Sequence, residues 1–331
     1  MNSKLKSFIQ YTVITLIGVF FLYFVFKGTD WNDLMVKFNQ TNYWWIAAGM
    51  LVSVFSHFLR GYRATMFYDA MNYHVPVKNS FYAVMIGYMM NYIIPRAGEV
   101  SRCAALTKTD DIPVNKSLGT VVTERVFDMV ILLLIIAIVF VMQFSMLTDF
   151  IQKTFNTSQD PASSGSPIKY IIIGFIAIAG IAFLALRKKL AAHPLYIKLM
   201  TVLKGFVEGL LSIKQIKKPG LFIFLSFAIW FCYVLMMYFC LFATKATEHL
   251  TFIDCLTVFA IGSIGMIIPA PGAGAGTYHF AIMQSLLLFG VPKEDGIAYA
   301  TIVHGIQMVL LLLIGAICSL LVLAMHKKKL A

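Results

Sequence analysis

The sequence predicts an all-α polytopic membrane protein: six full transmembrane helices plus two re-entrant broken-helix hairpins in an inverted-topology repeat. Three observations predict it. Hydrophobic residues make up 60% of the 331 and charged residues 13%, with a mean hydropathy of +0.81, a ratio that no soluble domain of this length needs. Two apolar runs break at matching places in the two halves, one at Ile93-Ile94-Pro95-Arg96-Ala97-Gly98-Glu99 and one at Ile267-Ile268-Pro269-Ala270-Pro271-Gly272-Ala273-Gly274. Broken helices expose backbone polar groups only where they line a cavity, so paired breaks point to a carrier rather than a structural anchor. Finally, the basic residues are distributed unevenly from loop to loop, which sets the sidedness of each segment.

Taken in order, 8–26 is long enough to span and lacks a small-residue cleavage site, so it reads as a retained helix and not a removed signal peptide. Residues 31–38 place Trp31, Leu34 and Phe38 on one face of an interfacial helix, followed by an aromatic belt at Tyr43, Trp44 and Trp45 and a span at 43–59. The broken segment 81–95 is too short to cross and opens the hairpin 81–112. The run 118–142 spans, and a Ser/Thr/Pro/Gly linker occupies 144–167. The second half repeats the plan. It has a span at 168–186, an interfacial helix at 194–216 with Leu199, Leu203, Phe206, Leu210 and Ile213 on one face, a span at 221–243, a hairpin at 253–290 and a span at 297–325. The first repeat is therefore 1–143 and the second 168–331. The five cysteines show no CxxC and no metal-ligand spacing and read as small hydrophobes.

Twenty of the 27 Lys and Arg residues fall in the N-terminus, around 60–78, in 96–116, in 187–218 and in the tail Lys327-Lys328-Lys329. Placing these on one side gives a cell-membrane protein with cytoplasmic N- and C-termini. Because 118–142 must then start inside, the preceding hairpin returns to the side it entered from, and the same count sends 253–290 in from the opposite face. This parity argument is independent of the Pro/Gly breaks and reaches the same repeat. The formal net charge of +12 is accounted for by this anchoring and by attraction to anionic membrane lipids, and calls for no nucleic-acid partner.

Ionisable side chains inside apolar spans cost roughly 2.5–3.5 kcal/mol each on insertion scales, so each needs a partner or a role. In the third span Glu124 and Asp128 share a face at i,i+4, and Arg125 is within reach of Asp128 at i,i+3. They read either as a structural ion-pair cluster or as contacts to a charged headgroup. The first hairpin adds Asn91, Arg96, Glu99 and Arg102, and the second span adds Arg60 and Arg63 on one face. Guanidiniums at membrane depth can fork onto phosphate, while the plainer readings are a mutual Arg96–Glu99 bridge and positive-inside anchoring.

The second hairpin carries different chemistry. Pro269, Pro271, Gly272 and Gly274 remove side chains, and a helix starting near Thr277 offers an N-terminal anion site with Tyr278 and His279 in its first turn. Its Gly-Ala alternation lacks any βαβ context and is no dinucleotide fingerprint. Thr301, His304 and Gln307 on the last span read as interhelical hydrogen-bonders or a proton relay. No catalytic constellation, metal site or cofactor motif accompanies these residues.

Together the Arg60/Arg63 pair, the Asn91…Pro95-Arg96-Ala97-Gly98-Glu99…Arg102 stretch, Glu124-Arg125…Asp128 and the Pro269-x-Pro271-Gly272 loop resemble the lysylphosphatidylglycerol synthase transmembrane-region (flippase-like domain) family over nearly the whole length. The resemblance implies an integral domain that moves an anionic or aminoacylated lipid between leaflets, fused in some members to a soluble aminoacyl-transferase. Here the chain ends at Lys327-Lys328-Lys329-Leu330-Ala331, so no synthase domain is expected. Tyr278-His279 stands where the family loop carries an acid, which removes a carboxylate suited to a cationic headgroup. The expected function is a flippase for a phospholipid or a polyprenyl-phosphate-linked lipid, with a phosphate headgroup as its ligand. The alternatives are a membrane headgroup transferase and an accessory subunit that docks a separate cytosolic synthase.

Overall fold

The computed structural model describes residues 3–144 and 194–330, so most of the expected linker, the span 168–186 and the basic residues Arg187, Lys188 and Lys189 lie outside the described residues. Every described element is helical: α1 (Ser3–Phe26), α2 (Trp31–Gln40), α3 (Tyr43–Ala70), α4 (Val77–Ile93), α5 (Gly98–Asp110), α6 (Val114–Met142), α7 (Pro194–Leu211), α8 (Pro219–Leu241), α9 (Phe252–Ile267), α10 (Thr277–Leu287) and α11 (Lys293–Leu330). Among them α6, α8 and α11 are each long and apolar enough to cross a bilayer alone, and α1 with α2 forms a further apolar unit bent by 87°. This is a multi-pass membrane architecture.

Local chemistry sets the boundaries. Asp30 caps α2 by accepting from the Asn32 N–H, and Asn42 caps α3 through the Trp44 N–H. The helix expected at 31–38 forms over Trp31–Gln40, with Leu34 buried and Trp31 stacked on Phe26. Helix α3 is longer than the apolar run 43–59 suggests. It continues from 59 through Arg60 and Arg63 to Ala70, because both arginines turn inward and find partners. All five cysteines are free and buried.

Both breaks produce hairpins. Pro95 cannot extend α4, and Arg96 takes a left-handed φ of 67° to turn the chain. The Asn91 side-chain oxygen then accepts from the Gly98 N–H at 2.8 Å. The arms pack so closely that a Cβ on Gly98 would lie 2.1 Å from the Gly87 carbonyl oxygen. At the open end, Asn79 donates to Asp110 at 2.9 Å, so α4 begins where α5 finishes. In the second hairpin α9 and α10 pack together around the turn at Pro271–Gly274, where Gly272, Ala273, Gly274 and Gly276 all have positive φ. With 17, 13, 16 and 11 residues, these arms extend about 25, 20, 24 and 17 Å at 1.5 Å per residue, less than the ~30 Å hydrocarbon core.

The helix α11, 38 residues or about 57 Å long, serves as a ruler. At its N-terminal end Asp295 pairs with Lys37 of α2 at 2.9 Å and Lys293 donates to the Lys27 carbonyl. At its other end Lys329 pairs with Asp111 and His326 meets the Lys108 carbonyl. The first end also gathers the start of α3, whose Asn42 N–H donates to the Ala243 carbonyl, and the end of α6, whose Gln143 donates to Asp254. Thus α4–α5 opens at one end of the molecule and α9–α10 at the other. The broadest helix–helix packing joins α3 to α8; α11 packs on α4, α2 and α10, while α6 packs on α9, α7 and α5.

Candidate functional site

Midway along α3, Arg60 and Arg63 project from one face at i,i+3. The same face of α6 presents Glu124 and Asp128 at i,i+4, with Glu124 about 15 Å into that helix. The structure closes these residues, together with Arg102 of α5, into one ionic cluster. Arg60 Nη1 donates to Asp128 Oδ2 at 2.8 Å, and Arg63 Nη1 donates to Asp128 Oδ1 at 3.0 Å. Arg102 forks onto Glu124, with Nη2 to Oε1 at 2.7 Å and Nη1 to Oε2 at 3.1 Å. Arg63 Nη2 is 3.6 Å from Glu124 Oε2, within ion-pair range but too far for a hydrogen bond. All five side chains are more than nine-tenths buried, and Arg63 is completely so.

The electrostatics are unbalanced. Three guanidiniums face two carboxylates, leaving one positive charge in excess where water is scarce. Four carboxylate oxygens already accept: Asp128 Oδ1 also takes the Trp230 indole N–H at 3.3 Å. The surplus lies in donors. Arg63 Nε and Nη2 and Arg102 Nε are buried and donate to nothing among the described residues. Orphaned charged donors in a buried site are costly, and each calls for a ligand or a water.

Sequence reasoning missed one wall of this site, which belongs to α8. Ser226, Trp230 and Tyr233 recur there at i, i+4 and i+7, the spacing of a single helical face, and that periodicity was the available signal. Ser226 accepts from Arg63 at 3.0 Å, and Tyr233 accepts from Arg60 Nε at 3.1 Å while meeting the Tyr88 hydroxyl at 3.2 Å. His57 was missed as well; its ring lies 4.3 Å from that of Tyr88. Between the cluster and the first hairpin is a cavity of about 30 Å³ lined by Arg60, Tyr88, Asn91, Glu99, Arg102 and Arg125 among others. That volume suits one or two waters, not a phosphate group.

The remaining expected residues divide into groups. Arg125 does not join Asp128. It reaches sideways to Glu99 at 3.3 Å, both half-exposed, because the fourth residue of the helical turn and not the first faces the buried arginines. Glu99 therefore bridges to Arg125 and not to Arg96, which sits exposed at the hairpin tip and outside the cavity lining. Asn91 is spent on the Gly98 N–H.

In the second hairpin the α10 N-terminus is covered, contrary to the open anion site expected from Thr277. The His279 Nδ1 accepts the Gly276 N–H at 3.3 Å, and Thr277 donates to the Gly274 carbonyl. Helix α1 lies so close that a Cβ on Gly276 would be 2.4 Å from the Gly18 carbonyl oxygen. Tyr278, His279 and His304 form a ring cluster, His304 lying 5.1 Å from each of the other two and 6.0 Å from Tyr92 of the first hairpin. Pro269, Pro271, Gly272 and Gly274 shape the turn, whose Ala273 packs against the α4 cluster. Gln307 only approaches the Met236 sulfur at 3.8 Å.

The family model described as the lysylphosphatidylglycerol synthase TM region matches residues 9–315, and so includes every helix that contributes to the ionic cluster. The chain belongs to that family. Among curated proteins, a UPF0104 membrane protein of Methanocaldococcus jannaschii is 28% identical over 233 residues, covering 69% of this chain and 92% of its own. No solved structure matches. For a member of the lysylphosphatidylglycerol synthase transmembrane-region family, the ionic cluster on α3, α5 and α6 is the feature with the strongest claim to ligand chemistry. It combines buried charge, free donors and an adjoining cavity.

Proposed function

We propose that this chain is a multi-pass carrier of the cell membrane that passes a phosphate-bearing lipid, a phospholipid or a polyprenyl-phosphate-linked lipid, between leaflets. The observation that carries this reading is the surplus of buried guanidinium donors beside a hairpin whose arms are too short to span. A positive excess at membrane depth is stabilised by an anion, and planar guanidiniums suit a phosphate.

The helix pairings support an inverted repeat with six spans and two re-entrant hairpins. Exchange of α2, α3, α4, α5 and α6 for α7, α8, α9, α10 and α11 converts the packing of α4 on α11 into that of α9 on α6. It likewise converts α2 on α11 into α7 on α6, and leaves α3 on α8 unchanged. Such a pseudo-two-fold is the usual frame for alternating access by rocking of the two halves about a shared site. The end of the molecule holding Lys78, Lys108, Lys116, Lys217, Lys218 and Lys327 is the basic one, which supports its cytoplasmic placement along with the C-terminus. The basic stretch from α7 to α8 is then placed to meet anionic lipids or a separate synthase.

The test is translocation of a fluorescent anionic phospholipid by the purified protein in vesicles. Wild type is expected to move it, and Arg60→Gln and Arg102→Gln each to slow transfer at least about tenfold, since a lost charge-assisted contact of 1.5–3 kcal/mol corresponds to a factor of that order. Equal rates in wild type, both variants and empty vesicles would refute the carrier reading.

A further inference from the structure

The two buried carboxylates have the geometry of stand-ins for a ligand. We infer that Glu124 is a placeholder anion that holds the Arg102 fork while the site is empty, and that the cargo headgroup is therefore a phosphate without an attached ammonium. This rests on the carrier reading above and narrows it to a headgroup class.

Consider what each candidate headgroup would meet. Both oxygens of Glu124 already accept from Arg102, and both oxygens of Asp128 accept from Arg60, Arg63 and Trp230. Among the described residues the carboxylate that lines the cavity is Glu99, which is paired with Arg125. An incoming ammonium would find no free acceptor carboxylate and three neighbouring guanidiniums, on Arg60, Arg102 and Arg125. Burying it there leaves like charges together in a poorly solvated site. An incoming phosphate meets the reverse situation. Arg102 lines the cavity and its Nε has no hydrogen-bond acceptor among the described residues, and the same holds for Nε and Nη2 of Arg63, whose Nη2 has only the longer 3.6 Å approach to Glu124. The bidentate fork that now holds a carboxylate is equally matched to two phosphate oxygens.

The cavity volume fits the same scheme. The cavity beside the fork, about 30 Å³, has room for water-sized groups, so a phosphate engages Arg102 only as the fork lets go of Glu124. Loading exchanges Arg102–Glu124 for Arg102–phosphate, and unloading exchanges it back. Such an internal competitor keeps the guanidinium desolvated and oriented, and it limits affinity so that the lipid is released. No bond is made or broken in this exchange, and no proton needs to move.

The placeholder role makes a prediction that a purely structural ion pair does not. Removing the competing charge while keeping the shape should tighten anion binding. The experiment uses the full chain in phosphatidylcholine nanodiscs and reads binding of phosphatidylglycerol, phosphatidic acid, lysylphosphatidylglycerol and inorganic phosphate by thermal stabilisation and by native mass spectrometry. Phosphatidylglycerol or phosphatidic acid is expected to bind about tenfold tighter than lysylphosphatidylglycerol, and Glu124→Gln to tighten anionic-lipid binding by about tenfold while slowing transfer. Should Glu124→Gln not fold, Glu124→Asp, which shortens the reach to Arg102 and keeps the charge, is expected to tighten binding more modestly. Preferential binding of the lysyl lipid, or weaker anionic-lipid binding in a folded Glu124 variant, overturns the placeholder. Inorganic phosphate binding with no preference for lipid would support the placeholder chemistry and overturn the lipid carrier. Absence of binding by all four probes in both wild type and variant overturns both.

Discussion

The two hairpins share a shape and differ in chemistry. The first, α4–α5, brings Arg102 to the buried carboxylate Glu124, so its stability depends on buried charge pairing. The second, α9–α10, brings Tyr278 and His279 against His304 of α11, and holds together by close backbone approach, with a Cβ on Gly265 coming 2.6 Å from the Ala281 Cβ. The difference teaches that one helical hairpin shape can be held together by two different chemistries. The first hairpin carries charged groups able to receive an anion. In the other, the helix N-terminus that could have done so is sealed by α1 and satisfied by His279.

Substitution separates the two regions by magnitude. The largest effect is expected at Asp128→Ala, which strands Arg60 and Arg63 as uncompensated buried charges and costs about 3–5 kcal/mol. The reading is a drop in thermal midpoint in detergent large enough to suppress recovery of folded protein, and an unchanged midpoint would break the contrast. Next is Gly276→Ala in the second hairpin. Its φ of 92° and the nearby Gly18 carbonyl oxygen set a penalty of about 1–3 kcal/mol, through backbone strain and not through charge. This loss should be insensitive to salt. Replacing His279 by Ala removes the acceptor of the Gly276 N–H and should cost about 1 kcal/mol, the value of a lost cap, with anionic-lipid binding unaffected. Smallest is Arg125→Ala. Its pairing with Glu99 is half-exposed, so stability should change by less than about 1 kcal/mol, and any effect should appear in transfer rate. A large stability loss there would place Arg125 inside the buried network.

Much of the helical plan was legible because long apolar runs, Pro95 and the Pro269–Gly276 loop are local signals that tertiary contacts only refine. Arg60, Arg63, Arg102, Glu124 and Asp128 were legible for a related reason: charge inside an apolar run is conspicuous by its cost. Which charges meet was not legible. Arg125 and Arg102 look equivalent along the chain, yet only Arg102 reaches Glu124, because α5 packs on the inward face of α6 and Arg125 points along its side. The α8 wall escaped notice because Ser, Trp and Tyr are unremarkable in an apolar helix until an arginine from α3 is placed against them. The sealed α10 N-terminus depends on α1, almost 260 residues earlier in the chain, and no local pattern in the hairpin announces it.

The carrier reading requires the two hairpins to enter the membrane from opposite faces. Single cysteines at Asp111 and Glu248, each close to the open end of one hairpin, can be labelled in sealed, oriented vesicles with a membrane-impermeant maleimide; the five native cysteines are buried and give the background. The expected result is labelling of the two positions from opposite sides. Labelling of both from the same side would contradict the inverted arrangement and the carrier mechanism built on it.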